Sequence, residues 1–206
     1  RKFPTMTFNK SDILARVEAI GAQDTDAFDI GEAALLLAAL DLPENNIADY
    51  RDQLDLIAAD MKAASRDVDT LADRAAVLSD VLYRQHLYQG DVETYDDPQN
   101  ANLMQVMDRR KGLPVALGIL AIHAGRAVGW EVSGLNFPGH FLLRLGSAGE
   151  YAFIDPFDEA RRVSGGDMQK IFMRLHGQQM PQQADLIRPV SDREILVRLQ
   201  NNIKIR

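Results

Sequence analysis

No cysteine occurs among the 206 residues. That absence removes disulfides, thiolate metal sites and thiol nucleophiles together. It leaves the redox compartment open, because a cysteine-free chain folds in either setting. No apolar run approaches the ~20 residues that a bilayer crossing needs, so no membrane partner is expected. The sequence has no GxxxxGK[ST] or GxGxxG phosphate loop and no His/Asp/Glu spacing that argues for zinc, so neither a cofactor nor a metal is expected. Basic residues are scarce in the first half: residues 1–100 carry 9 Lys+Arg against 20 Asp+Glu, residues 101–206 carry 14 against 10, and the net charge is −7. An acidic chain without a basic stripe is a poor candidate for nucleic acid, whose phosphates dominate affinity. The acidic half reads as a solvated helical surface. The chain begins at Arg1 with no apolar leader core after it, which gives the expectation of an intracellular, cytoplasmic fragment or a trimmed chain.

What is present is ordinary for one globular domain, or one domain with a helical extension: 46% hydrophobic and 26% charged residues. Ser11 can cap a helix with Ile13, Leu14, Val17 and Ile20 on one face. Asp29 can cap a second helix that runs to about Leu40 and is ended by Leu42-Pro43. Tyr50, Leu54, Ile57 and Met61 follow at helical spacing, then Leu71, Ala75, Leu78, Val81 and Leu82. The first ~85 residues thus read as a bundle of short helices. Gly90 to Asn102 is a loop by composition, and Asn102 or a neighbour starts a short helix carrying Leu103, Val106 and Met107. Pro114 opens an apolar helix to about Val128, a position where its missing N–H has no partner to lose. Apolar nearly all round, that helix should be buried. After Gly129 the period changes, and Glu131 to Phe137, His140 to Leu145 and Tyr151 to Ile154 read as strands. A short helix is expected over Met168 to Leu175. Ser191 and Glu194 form a capping box for a last helix bearing Ile195, Leu196, Leu199 and Ile203.

The turn Gly146-Ser147-Ala148-Gly149 sets a register. If Ser147-Ala148 is a two-residue loop, Gly146 faces Gly149, Leu142 faces Phe153 and His140 faces Asp155. Phe141, Leu143, Leu145, Ala152 and Ile154 then share a uniformly apolar face. A longer loop moves each partner by two and keeps the parity; a slip of one residue scrambles the apolar face. The pattern therefore puts His140 and Asp155 on one face. A carboxylate beside an imidazole orients the ring and favours its protonated form, which is the base-plus-orienter half of a nucleophilic triad. From spacing alone, a stabilising cross-strand ion pair is the larger share of the reading.

Four runs change that weighting: Asp97-Pro98-Gln99-Asn100-Ala101-Asn102-Leu103; Val106-Met107-Asp108-Arg109-Arg110-Lys111-Gly112-Leu113-Pro114-Val115-Ala116-Leu117-Gly118; Pro138-Gly139-His140-Phe141-Leu142-Leu143-Arg144; and Ile154-Asp155-Pro156-Phe157. In this order and spacing they resemble the SirB-type transglutaminase-like family. The resemblance implies an α+β fold of papain-like type: an N-terminal helical bundle, then a transglutaminase-like core in which a buried helix packs on a small antiparallel sheet. The expected division is 1–90 helical region, 91–160 core and 161–206 helical extension. In the family a tail resembling tetratricopeptide repeats often follows; most of it is absent here, the expectation for a truncated chain.

The resemblance also implies roles. His140 and Asp155 match the histidine and aspartate of the triad. Counting back from Gly129, the cysteine position falls on Pro114, and an error of one places it on Leu113 or Val115. None of these is nucleophilic, and Gly112 to Ile122 holds no Ser, Thr, Cys, Lys, Asp or Glu. The expected protein is thus a pseudoenzyme that serves a protein partner as a binding or regulatory scaffold. The alternative is a hydrolase or transferase with an unconventional nucleophile, such as a water activated by His140. Asn102, Arg109 and Arg110 are candidate binding residues: an arginine ahead of the proline helix can hold a carboxylate or phosphate. A structural bridge to Asp96, Asp97 or Asp155 is the favoured reading for the arginines. His123, on the buried helix, reads as a satisfied core histidine, and Gly165-Gly166 as a turn.

Overall fold

The computed structural model describes residues 10–23, 28–181 and 184–204. Helices α1 (Lys10–Gly21), α2 (Ile30–Asp41), α3 (Ile47–Ala64) and α4 (Leu71–Ser79) come first. Asp29 caps α2, its side chain accepting from Glu32 N at 3.0 Å, and Tyr50, Leu54, Ile57 and Met61 are all buried on α3. Two sequence expectations need correction here. Helix α1 already includes Lys10, so Ser11 lies inside its first turn, and Leu14 is 46% exposed because it sits about 100° round the helix from buried Ile13. After α4 the helix widens into a π turn over Asp80–Gln85, in which Val81, Leu82 and Tyr83 are all buried.

Strand β1 (Gln89–Gly90) pairs in parallel with β2 (Lys111–Gly112), so the chain entering the apolar helix is tied to the end of the helical region. Between them lie a 3₁₀ turn over Pro98–Ala101 and α5 (Leu103–Arg109), capped by Asn102. Helix α6 (Pro114–Ala127) starts with Pro114 at its first position and is buried along nearly its whole length. Five strands form one antiparallel sheet in the order β6 (Arg161–Val163), β5 (Glu150–Asp155), β4 (Leu143–Ser147), β3 (Glu131–Leu135), β7 (Pro189–Val190). Helix α7 (Gly165–His176) and α8 (Asp192–Lys204) complete the described chain. The fold is α+β, with a buried helix on a small antiparallel sheet.

The sheet separates two apolar layers. Val132, Phe141, Leu143, Leu145 and Ile154 join the core shared by α2, α3, α5, α6 and α8. Leu142 and Val163, with Phe153 beside them, pack instead with Met168, Ile171 and Phe172 of α7. Close approach of α6 to the sheet depends on Gly118: a Cβ there would sit 2.3 Å from Phe141 Cε1.

The hairpin register is shifted by two from the simplest expectation. Ser147 faces Glu150 and Leu143 faces Ile154, so the turn is Ala148-Gly149, not Ser147-Ala148. Both turn residues have positive φ, 50° and 85°. A type I′ turn requires this, and glycine belongs at its second central position. The parity is retained, and so is the apolar face.

Helix α7 is longer than expected because Ser164 and Asp167 form a capping box across Gly165-Gly166, which are its first two residues. Ser191 and Glu194 cap α8 in the same way, with Ser191 N bound to Glu194 Oε2 at 2.8 Å and Glu194 N to Ser191 Oγ at 3.2 Å. The part of the α8 reading that falls on the Ile203 side chain lies outside the described residues.

His123 is half-buried and held between Asp29 Oδ1 at 3.4 Å and the Leu54 carbonyl at 3.2 Å. Burial pulls its pKa down, but the hydrogen bond and charge of Asp29 outweigh it, and the net direction is above 6.5. Asp29 is correspondingly lowered to about 2, chiefly by the hydrogen bond from His123. The raised histidine contributes stability that is full below its unfolded pKa and lost as pH rises through its folded one. The lowered aspartate contributes stability that is full above 3.8 and lost as pH falls toward about 2. An NMR titration is expected to place His123 above 6.5 in the native chain and to bring it down in Asp29→Asn; a native value at or below 6.5 would contradict the pairing.

Candidate functional site

His140 does not lie in a regular strand. Pro138-Gly139 makes a turn, with Gly139 at φ 74°, and β4 begins only at Leu143. The left-handed backbone that glycine permits swings the next residue toward the end of β5. There His140 Nε2 meets Asp155 Oδ2 at 2.7 Å. Asp155 is 5% exposed, and its other oxygen accepts from Phe157 N at 2.9 Å. The carboxylate is thus fixed from both sides, and in turn fixes the ring. Nδ1 of His140 has no protein partner among the described residues.

The loop after Asp155 is held from beneath. Tyr83, on the π turn, donates its hydroxyl to the Pro156 carbonyl at 2.5 Å. Burial, then the nearby charges of Asp155 and Glu159, push the Tyr83 pKa well above its usual 10, so it remains a donor. Tyr83→Phe is expected to cost about 1–3 kcal/mol in urea unfolding, because the buried carbonyl is left without its partner. A change within a few tenths would mean that the carbonyl finds water instead.

The start of α6 faces this pair. Leu113, its N-cap, has no side chain that can cap, and Leu113, Pro114, His140, Tyr95, Arg198 and Asn202 line one small cavity of about 90 Å³. A second cavity, of about 490 Å³, is also lined by His140 and Asp155, together with Arg161, Asp167, Lys170 and Arg174. His140 lines both, and Asp155 lines only the larger. Among the described residues no group of three or more His, Asp or Glu side chains is placed to hold a metal ion.

Asn102, Arg109 and Arg110 line neither cavity. Asn102 caps α5 and donates to the Ala38 carbonyl at 3.2 Å. Arg109 binds Asn100 Oδ1 and Asp91 Oδ2, each at 2.9 Å. The acid that takes it is therefore Asp91, and not Asp96, Asp97 or Asp155. Burial raises the Asp91 pKa, but hydrogen bonds from Thr94, Asn100 and Arg109 hold it lowered to about 2. Arg110 ends α5 with φ 58° and lies over the Tyr88 ring. Sequence reasoning missed Arg198 and Asn202. A signal was available: both fall at helical spacing with the inward Ile195 and Leu199 of α8, where a polar residue needs a reason.

A helix whose N-terminus faces a His–Asp pair, with the aspartate at the end of a strand of an antiparallel sheet, is the arrangement of a transglutaminase-like domain. A family model described as the transglutaminase-like superfamily matches residues 48–201, and the chain belongs to that superfamily. The chain is 34% identical over 176 residues to a UPF0162 protein of Pseudomonas aeruginosa, covering 84% of this chain and 63% of that one. It is 26% identical over 188 residues to a UPF0162 protein of Xylella fastidiosa, covering 90% and 67%. These are the SirB-type relatives that the motifs resemble, and the chain spans about two thirds of their length. A shorter match, 37% identical over 78 residues, links 38% of this chain to 12% of F-box only protein 21 of Homo sapiens. No solved structure matches the chain.

Proposed function

We propose that this is a cytoplasmic, non-catalytic transglutaminase-like protein that serves as a binding or regulatory module for a protein partner. The observation that carries this is Pro114: it stands at the helix N-terminus that lines a cavity with His140, in a chain without cysteine. Covalent catalysis of the superfamily's kind needs a nucleophilic side chain at that point. The match to a small part of F-box only protein 21 supports use of such a segment as a module within a longer chain. In this reading residues 91–160 carry the His–Asp pair, residues 1–90 supply the acidic helical surface, and residues 161–206 close the cleft.

A second reading is favoured by the larger cavity, which would admit a substrate to His140: a hydrolase or transferase in which Nδ1 activates a water. One experiment separates them. The purified chain is assayed for ammonia release from glutamine peptides, amine incorporation and peptide hydrolysis, beside His140→Ala. No turnover above background is expected from either. Turnover that disappears in His140→Ala would overturn the proposal in favour of the second reading.

A further inference from the structure

We propose that the small cavity between α6 and α8 is a binding site for a monoanionic carboxylate, held by Arg198. This rests on the reading of the old nucleophile cleft as a binding site, and names what it holds. Arg198 lines the cavity, with its guanidinium carbon 5.3 Å from the centre of the Phe141 ring. Among the described residues it has no carboxylate partner. Arg51 binds Glu32, Arg109 binds Asp91 and Arg126 binds Asp192, whereas Arg74, over the Trp130 ring, donates only to the Gly146 carbonyl. A partly buried cation is costly unless something neutralises it. Burial already pulls the Arg198 pKa below its ordinary value, against a smaller opposing pull from Tyr95.

The rest of the lining is rich in donors. Asn202 uses one N–H on the Arg198 carbonyl at 2.8 Å and keeps the other. Val115 and Ala116 stand in the first turn of α6, where Leu117 is the first residue whose N–H bonds back into the helix, to Leu113 O at 3.0 Å. The charge count selects the ligand. Arg198 is the one permanently charged side chain among the described residues that line the cavity, and Asp155 does not line it. One guanidinium matches a carboxylate in charge and in its paired-donor geometry. A dianionic phosphate would remain half-compensated. The volume, about 90 Å³, is several times the ~10–15 Å³ that one water needs, and takes a carboxylate head group.

The test is ¹⁵N NMR of the full chain with N-acetylglycine, N-acetylglycinamide and inorganic phosphate as probes. The acid is expected to give saturable shifts at the Arg198 Nε–H and the Asn202 side-chain amide. Its amide should give none, and phosphate should bind more weakly. Arg198→Met should lose at least tenfold in affinity while melting no lower than the native chain, because the thioether keeps the contact with Phe141 and a desolvated cation is gone. Should that variant fail to fold, Arg198→Lys keeps the charge but loses the paired donors, and should still bind the acid more weakly. An equal response to acid and amide, no saturable shift, tighter binding of phosphate, or undiminished binding by the Arg198 variants would each overturn the proposal. Turnover by the purified chain would refute the non-catalytic reading and leave this one standing; absence of carboxylate binding would do the reverse.

Discussion

Arg126→Ala is expected to lower the unfolding free energy by about 3–5 kcal/mol, the usual cost of stranding one partner of a buried ion pair. Arg126, near the end of α6, grips Asp192 at the start of α8 through two bonds of 2.5 and 3.0 Å, and also donates to the Val132 carbonyl at 3.1 Å. The two partners are unequal. The Asp192 side chain is 4% exposed, whereas that of Arg126 is 39% exposed. Losing the arginine therefore leaves a carboxylate with almost no water, compensated only by its place in the first turn of α8, where the helix end favours negative charge. Losing the aspartate leaves a guanidinium that solvent can reach. Asp192→Ala should accordingly cost distinctly less. At about 2–4 °C per kcal/mol for a chain of this size, the arginine variant should melt roughly 10 °C lower. Equal effects, or a loss below about 1 kcal/mol for Arg126→Ala, would mean that α8 is not held by this pair. The same contact matters for the cleft, since α8 carries Arg198 and Asn202 into it.

The legible parts of this sequence were those set by short-range rules. Asp29, Asn102 and Ser191 announce helix starts because a side-chain oxygen must meet a free backbone N–H, and Pro114 announces one because it needs none. The alternation through Phe141, Leu143 and Leu145 placed the apolar face, and with it the side shared by His140 and Asp155. The register itself was off by two, since parity cannot distinguish Ser147-Ala148 from Ala148-Gly149; only the demand for positive φ at both turn positions does. Contacts between distant segments were out of reach. Nothing local tells Arg109 to choose Asp91, or brings Tyr83 under Pro156, or turns Arg198 into a cavity made by α6. The π turn was invisible too: Val81 and Leu82 fit ordinary helical spacing from Leu78, and only buried Tyr83 beside them departs from it.

Pro114→Cys should create a thiol that reacts as a thiolate at lower pH than an ordinary cysteine. Residue 114 is the first of α6, its backbone neighbours Val115 and Ala116 carry free N–H groups, and it shares its cavity with His140 and Arg198. The substitution itself is tolerated, because proline at this position is permitted and not required. Two effects compete at the new sulfur. Burial at residue 114 raises a thiol pKa. The helix end, a neighbouring imidazole that can take up the thiol proton and a guanidinium lower it, and such surroundings bring a thiol from ~8.5 to ~3.5–7.5. The helix end and the guanidinium, with an imidazole able to take up the thiol proton, are expected to outweigh the desolvation. Catalysis is a separate demand, since it also needs an aligned substrate and a site for the developing oxyanion. The decisive measurement is the pH dependence of alkylation of Pro114→Cys by a small neutral reagent, with and without His140→Ala. The expected result is an alkylation pKa below ~8.5 that climbs when His140 is removed. A pKa at or above that of a free thiol, unmoved by His140→Ala, would show that residue 114 does not occupy the nucleophile position opposite the His140–Asp155 pair.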